Sequence, residues 1–344
     1  MATFGNMTIP PTYTITNKIV SLLAKIEANK TYINTLTVPS QIVTNLTHLS
    51  LLKSSVYSAQ IEGNTLTPED MEHNTEDDEK QYERQEIENI IVALTSLREN
   101  GIPKLIDIPY LLLIHRLVMN KLVHSSQAGI VRKEPSAIFD GNGNVVYMTP
   151  PPSEINDLLL TLLHFINDES DVFPLIKAAL AHLCFEKIHP FLDGNGRVGR
   201  LLFQAILAKY DYHFNWLLSV EELLQQKKHT YYFLLEQNTA TEFIEFILEV
   251  MAEESERLKH TIGNFENPSE EDFLLPRRKE ILEIIRDHTI VSFEQIQRRF
   301  LKVPARTLRY DIKQLEKQGL IKKVGTTRGA LYQVKKTAKS SPSF

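Results

Sequence analysis

Apolar residues recur at helical spacing along most of this chain. Ile19-Val20, Leu22-Leu23 and Ile26 share one face of a first helix, and Ser54 to Ile61 reads as a shorter helical stretch ending at Glu62-Gly63-Asn64. Ile87, Ile90, Ile91 and Leu94 mark another amphipathic helix, and Ile108 to Leu122 a further one. Between them Met71 to Tyr82 is acidic and reads as an exposed segment. Then the period changes. Ala137-Ile138-Phe139 and Val145-Val146-Tyr147-Met148 are β-formers flanking Asp140-Gly141-Asn142-Gly143-Asn144, which predicts a β-hairpin, ended by Pro150 to Pro152. Helical patterning returns over 153–166, 174–188 and 197–209, the last with Val198, Leu201, Leu202 and Ile206 on its apolar side, and runs on to about residue 262. Gly263 to Glu271 is polar and contains Gly and Pro, which marks a linker.

Beyond the linker the pattern is that of a winged helix. Pro276 to Asp287 gives a first helix with Ile281, Ile284 and Ile285 apolar, and Ser292-Phe293-Glu294-Gln295 is a capping-box start for a second. A third begins at Pro304-Ala305-Arg306-Thr307-Leu308-Arg309 and ends before Gly319. Leu320 to Val324 and Ala330 to Val334 form two strands around Gly325-Thr326-Thr327-Arg328-Gly329. Arg306, Arg309 and Lys313 on the third helix can face one groove, with Arg328 on the wing, which suits DNA. The same basic face also suits a protein-docking or dimerising module.

Charge sharpens this division. From Pro276 to Phe344 there are 17 Lys+Arg against 6 Asp+Glu, a net of +11, while residues 1–275 carry −16 and the whole chain −5. An acidic body with a basic C-terminal module points to a nucleic-acid partner for the latter. The single cysteine, Cys184, excludes a disulfide framework and fits a reducing cytoplasm. The sequence has no long apolar run for a membrane span and no basic head followed by an apolar stretch at the N-terminus. A cytoplasmic protein is therefore expected.

One segment carries chemistry. His189-Pro190-Phe191-Leu192-Asp193-Gly194-Asn195-Gly196-Arg197-Val198-Gly199-Arg200 puts a base, a carboxylate, a flexible turn and two arginines into twelve residues. Helix 174–188 delivers His189 at its end, where Pro190 stops it. Gly194 and Gly196 permit a nest of inward N–H groups, and the next helix adds its positive N-terminus beneath the same anion. Arg197 and Arg200 lie three apart on that helix and suit phosphate oxygens. Asp193 suits Mg²⁺, which takes one or two carboxylates plus phosphate oxygens. His189 can take a proton from an incoming hydroxyl. The tetrapeptide Asp-Gly-Asn-Gly also occurs at 140–143, between β-formers, where it reads as a turn. His182, Cys184 and His189 fit no common zinc spacing.

This segment resembles the signature of Fic-domain proteins, His-Pro-Phe-x-Asp/Glu-Gly-Asn-Gly-Arg-x-x-Arg, at every defined position, and LIKAALAHLCFEKIHPF upstream is also similar. The resemblance covers roughly residues 105–250. It implies transfer of AMP from ATP, with Mg²⁺, to a Ser, Thr or Tyr hydroxyl of a target protein or of the chain itself, often by a homodimer. It implies His189 as general base and Asp193 as the Mg²⁺ ligand. Asn195 and the Gly194 and Gly196 backbone would hold the α-phosphate, Arg197 phosphate oxygens, and Arg200 the γ-phosphate. Phe191 would fix the loop. Glycine at 196 resembles the AMP-transferring type rather than the kinase-like Doc branch. Tyr231 and Tyr232 fall where members often have a tyrosine near the adenine, and core packing suits them equally. The hairpin at 136–148 resembles the family's target-aligning flap, although Gly129-Ile130-Val131-Arg132-Lys133 departs from the usual Arg-Thr after the glycine.

Ser58-Ala59-Gln60-Ile61-Glu62-Gly63 looks like the family's inhibitory motif, Ser/Thr-x-x-x-Glu-Gly/Asn. There the glutamate pairs with the second motif arginine, here Arg200, and denies it to the γ-phosphate. The same Glu62 could instead activate a water that removes AMP, making the chain a de-AMPylating hydrolase. A third reading is a DNA-bound regulator whose Fic domain senses nucleotide. The expected fold is mainly α. A helical N-terminal region spans 1–104 with an inhibitory helix at 54–63, and a helical Fic core with a small β-hairpin flap spans 105–262. A linker at 263–275, a winged helix at 276–336 and a tail at 337–344 follow.

Overall fold

The computed structural model describes residues 3–335 apart from 5–6, 37, 39, 73–79, 140–144, 170, 238, 264–269, 302 and 326–329. The fold is mainly α. In chain order, a small pair of strands, β1 (Thr3–Phe4) and β2 (Met7–Thr8), precedes α1 (Asn17–Thr35), α2 (Ser40–Ile61), α3 (Pro68–Glu72), α4 (Gln81–Asn100) and α5 (Ile108–Val118). The hairpin β3 (Ala137–Phe139) and β4 (Val145–Met148) leads to α6 (Pro152–Asn167), α7 (Pro174–Ile188), α8 (Asn195–Lys209), α9 (Val220–Gln226), α10 (Lys228–Glu236) and α11 (Ala240–Gly263). The C-terminal part holds α12 (Pro276–His288), β5 (Val291–Ser292), α13 (Phe293–Arg299), α14 (Ala305–Lys317), β6 (Ile321–Val324) and β7 (Leu331–Val334). The chain forms two compact units, Met1–Leu66 with Glu76–Gly263, and Thr67–Thr75 with Asn264–Phe344.

The first unit is built around α7. A helix that is apolar on every side belongs in the middle of a domain, and every residue of α7 from Leu175 to Ile188 is buried. It packs against α6, α8 and α11, while α2 packs on α4 and α9 and α1 on α11. β3 and β4 pair antiparallel, Ala137 opposite Met148, with an irregularity between Ile138 and Phe139. The Asp140–Asn144 turn lies outside the described residues. No helix among the described residues is long and apolar enough to cross a membrane.

The helix at 54–61 is far longer than the sequence pattern suggested: it begins at Ser40. Its inner face is disguised by hydroxyls. Thr47, Ser50, Ser54, Ser55 and Ser58 are all buried. Several turn their hydroxyls onto partners, as Ser55 Oγ donates to Leu51 O at 2.8 Å and Ser54 Oγ to Ser219 Oγ at 3.1 Å. A small hydroxyl bonded in this way buries as readily as alanine.

In the second unit α12, α13 and α14 enclose Ile281, Ile285, Ile296, Leu308, Ile312 and Leu315. The foreseen wing strands β6 and β7 gain a third partner, the two-residue β5, in the order β5-β7-β6. Ser292 caps α13 with both bonds of the capping box, Gln295 N to Ser292 Oγ at 3.3 Å and Ser292 N to Gln295 Oε1 at 2.8 Å. The linker is shorter than 263–275. Gly263 ends α11, Glu270–Phe273 form a 3-10 turn and Leu274 joins the second core, while 264–269 lie outside the described residues.

Of the acidic stretch from Met71 to Tyr82, Glu72 and residues 80–82 are exposed, as expected, and residues 73–79 lie outside the described residues. Its start overlaps α3, which belongs to the second unit and whose Glu69 is buried. The acids of α3 answer two arginines of α12. Arg277 Nη1 lies 3.4 Å from Asp70 Oδ1, and Arg278 Nη2 lies 2.6 Å from Glu72 Oε2. Both arginines also grip Asp311 of α14, Arg277 Nε at 2.7 Å and Arg278 Nε at 3.0 Å. Asp311 is fully buried. Buried charge is tolerated only when paired, so the acids of α3 and α14 are the counter-ions this basic module requires.

A candidate phosphate-binding active site

The end of α7 sets up the site. His189 caps the helix in the left-handed conformation, φ 49°, and its N–H donates to Phe185 O at 3.0 Å. Pro190 then prevents continuation. The ring's Nδ1 lies 3.3 Å from Glu186 O, which accepts a proton carried on Nδ1 and leaves Nε2 as the basic nitrogen. Burial lowers the imidazole's pKa below its ordinary value, and the Arg132 charge acts the same way, against the Glu186 carbonyl, Glu62 and Asp193. His189 is therefore a neutral base near pH 7.

The loop after it is held from both sides. Phe191 is fully buried and stacks on His115 of α5, with ring centroids 3.8 Å apart. His115 Nδ1 accepts from Gly129 N at 2.7 Å, so its Nε2–H donates to Asp193 O at 3.1 Å. Burial lowers the pKa of His115 to about 4, which keeps this neutral tautomer in place. Asn195 uses both ends of its amide on the loop, Oδ1 accepting from Phe191 N at 2.9 Å and Nδ2 donating to Phe191 O at 2.8 Å. The side chain is thus a clamp, and only the backbone of Asn195 faces outward work. Gly194 stands at φ 82°, a conformation that glycine adopts without strain, and opens α8. The unpaired N–H groups of that helix start form the anion nest.

The arginines are already engaged. Arg197 Nη2 lies 2.9 Å from Asp193 Oδ1, and its Nη1 lies 2.7 Å from Glu86 Oε1 of α4. Arg200 is buried and makes three contacts to the end of α2. Its Nε donates to Ser58 Oγ at 2.9 Å, and its Nη2 to Ser58 O and Glu62 Oε1, both at 2.8 Å. Gly63, at φ 108°, turns the chain just past α2. The Glu62 carboxylate lies against Gly196, where an added Cβ would collide with it. Glu62 therefore occupies the mouth of the nest as an anion does.

The Mg²⁺ expectation rests on Asp193 alone. Its side chain is half-exposed and its Oδ1 accepts from Gly194 N at 2.6 Å. No group of three His, Cys, Asp or Glu that could hold a metal occurs among the described residues. That donor set fits Mg²⁺ held jointly with phosphate oxygens, not a site made by protein alone.

Other residues fall elsewhere. Tyr231 is not available to an adenine: it is buried, and its hydroxyl pairs with His182 Nε2 at 2.7 Å in the core. Tyr232 is partly exposed, and its hydroxyl donates to Ile61 O at 3.0 Å, at the end of α2. In the second unit Arg306, Arg309 and Lys313 are all exposed on α14, and the Arg309 guanidinium sits 4.3 Å from the Phe293 ring centroid. Arg328 lies outside the described residues.

Four residues escaped the sequence reading. His115 and Glu86 act from helices far from the motif. Glu186, whose carboxyl burial pushes up to about 8, lies against Gly199 behind Arg200. Arg132 ties the flap to the motif. Its N donates to Pro190 O and its Nε to His189 O, while Nη2 donates to Thr149 Oγ1 and Pro150 O, all within 2.7–2.9 Å. The departure at Gly129-Ile130-Val131-Arg132 thus carries a side chain that joins hairpin and loop. An arginine one residue before a lysine gave no signal of this.

A base beside a helix N-terminus, with two arginines and a carboxylate around the same opening, makes this a candidate site for polyphosphate chemistry. Residues 105–207 match the Fic/DOC family, and residues 277–329 the DeoR-like helix-turn-helix domain. The chain thus carries a Fic/DOC-type domain over 105–207 and a DeoR-like helix-turn-helix domain over 277–329. It is 38% identical over 89 residues to a probable protein adenylyltransferase of Aquifex aeolicus, covering 26% of this chain and 25% of that one. It is 31% identical over 164 residues to the protein adenylyltransferase Fic of Drosophila virilis, covering 45% and 32%. The chain thus spans about a quarter to a third of the length of these curated relatives. The fold is like that of a Fic family protein from Desulfovibrio desulfuricans G20, with a TM-score of 0.62 at 23% identity over 95% of this chain and 98% of that one.

Proposed function

We propose that this chain is a protein adenylyltransferase that moves AMP from ATP to a Ser, Thr or Tyr hydroxyl, restrained by Glu62 and equipped to bind DNA. The observation that carries the reading is the meeting of His189, the α8 N-terminus and Arg200 at one opening, with Glu62 lodged in it. The names of the Aquifex and Drosophila relatives support the same chemistry.

The reaction follows from these groups. ATP lays its phosphates on the α8 N-terminus, with Arg197 and Arg200 on their oxygens. The target hydroxyl gives its proton to His189 Nε2 as its oxygen attacks the α-phosphorus. The bond from the α-phosphorus to the bridging oxygen breaks opposite the attack, and pyrophosphate leaves. The products are an AMP ester on the target and pyrophosphate. Mg²⁺, held by Asp193 with phosphate oxygens, would offset charge on the phosphates. Arg132 fixes the His189 carbonyl and the base of the flap, so the strand that presents the target and the base that receives its proton keep one geometry. Backbone pairing to the exposed flap is how an extended target segment would be aligned.

ATP labelled at either the α- or the γ-phosphate separates the alternatives. With the Glu62→Gly chain and Mg²⁺, protein label is expected from the α-position only. Label from the γ-position would make the chain a kinase, and none from either, with ATP bound, would sink transfer altogether.

For the second unit, the exposed Arg306, Arg309 and Lys313 on α14 support docking in a DNA major groove. Changing all three to Ala is expected to weaken duplex DNA binding and lower its salt slope by about 2–3. Unchanged binding, measured by fluorescence anisotropy across a salt series, would move the module to protein docking.

A further inference from the structure

The far end of α8 carries a cleft that the transfer chemistry does not use. It has a volume of about 470 Å³ and is lined by Arg98, residues 101–104, Lys209, His213 and Trp216 among others. That volume is in the range of small-molecule sites. Its lining includes the cationic side chains Arg98, Lys104 and Lys209 and, among the described residues, no carboxylate. Arg98 and Lys104 have no acidic partner among the described residues. Lys209 is drawn in by its own ammonium, which donates to Lys104 O. Burial, with the charges of Lys177 and Lys104, lowers the pKa of Lys209 below its ordinary value. The adjoining carboxylate, the mostly exposed Asp211, is shared: its Oδ2 is 3.4 Å from Lys30 Nζ, and its Oδ1 is 3.8 Å from Nδ1 of His213 on the cleft wall. Like charges gathered around one cleft repel one another and favour an anion there, although Arg98 and Lys104 stay exposed and only Lys209 is partly buried.

The cleft also has an aromatic wall. Trp216 packs edge-on to His213, with centroids 5.2 Å apart, and is only partly buried. Phe214, Asn215 and Trp216 all hold positive φ, 48°, 54° and 62°. Such a run of non-glycine residues is unfavourable by itself and persists only where packing enforces it, here through buried Phe214. The indole is thus held in place beside the cations. On its other side a smaller hollow, bounded by Leu51, Leu94 and Leu218, shares Trp216 and Arg98 with the cleft.

We propose that this cleft is a second ligand site, for a small anion that joins a phosphate group to a planar ring, the chemistry of a nucleoside monophosphate. The phosphate would lie among Arg98, Lys104 and Lys209, and the ring on Trp216. The α8 helix has 15 residues, which at 1.5 Å each puts the cleft about 20 Å from the nest at its other end. The two sites are therefore separate, and this inference does not depend on AMP transfer.

Trp216 is the chain's only tryptophan, so its emission reports this cleft. The full chain would be titrated with AMP, with adenosine and with inorganic phosphate. In parallel, labelling of Lys104 and Lys209 by an amine-reactive reagent would be read by mass spectrometry. AMP is expected to change the emission saturably and to protect both lysines, more weakly as salt rises. Lys104→Glu/Lys209→Glu should weaken this at least tenfold, as should the milder Lys104→Gln/Lys209→Gln if the first variant fails to fold, whereas Arg200→Ala should leave it intact. Neither emission change nor lysine protection at millimolar AMP would overturn the proposal. Equal effects from inorganic phosphate would overturn its ring component, and loss in Arg200→Ala would assign the signal to the motif site.

Discussion

Glu62→Gly should raise the rate of AMP transfer about ten- to a hundredfold over the wild-type chain. Arg200 is buried and donates to Oε1 of the partly exposed Glu62 at 2.8 Å, and a hydrogen bond to a charged group contributes about 1.5–3 kcal/mol, with solvent at the carboxylate placing this one toward the lower end. Each 1.4 kcal/mol is about a factor of ten. A triphosphate must displace that contact and also the carboxylate that lies against Gly196. Glycine removes both obstacles and leaves Ser58 on Arg200, so the guanidinium keeps its aim. Adding His189→Ala to Glu62→Gly should then cut the rate by about 10²–10⁴-fold, the usual contribution of a positioned general base. The pH profile gives an independent check. Protonated His189 cannot accept the hydroxyl proton, so kcat/KM falls as pH drops through its pKa. Burial holds that pKa below 6.5, and the acid limb is expected below that pH. Glu62 raises the same pKa, so its removal should move the limb further to acid. Initial rates with α-labelled ATP measure all of this. Equal rates in wild type and Glu62→Gly would end the inhibitory reading.

Asp311→Ala should destabilise the C-terminal unit by about 3–5 kcal/mol, the range for breaking a buried ion pair from one side. Asp311 is fully buried and receives the Nε groups of both Arg277 and Arg278. Without it two mostly buried guanidiniums keep the carboxylates of α3, Glu69 and Asp70 near Arg277 and Glu72 on Arg278. The loss should be confined to one unit. Trp216, the sole tryptophan, lies in the first unit and its emission follows that unit alone. Urea titration is therefore expected to show part of the helical circular dichroism lost at lower denaturant, with the Trp216 transition unmoved. A variant that unfolds like wild type by both probes would mean that the α3 carboxylates suffice for the two arginines.

Much of this site is local, and local order is written in sequence. The segment from His189 to Arg200 is continuous, so proline, glycine and the onset of an apolar stripe dictate a helix stop, a nest and a helix start within twelve residues. The strands of the hairpin and the three helices of the C-terminal module follow from period changes and a capping box in the same way. The helix that ends at Ile61, just before Glu62, shows how the signal fades. Its last turn was legible, yet Thr47, Ser50 and Ser54 read as polar, and only their burial against partners extends the helix back to Ser40.

The chemistry of neighbours is thus readable from the chain alone: a base, an anion-binding turn and two arginines at fixed spacing, and a basic module after an acidic body. The tertiary structure decided which distant groups meet them. Glu86 pairs with Arg197, and Arg132 joins the flap to His189, while the meeting of Glu62 with Arg200 across 138 positions was implied only by the motif resemblance and not by charge spacing. It also moved Tyr231 into the core and gave α3 to the C-terminal unit. A helix or turn is selected by bonds between residues a few places apart. A carboxylate finds its arginine only after apolar burial has fixed the packing of whole helices, and nothing in the spacing of charges along a chain encodes that partner.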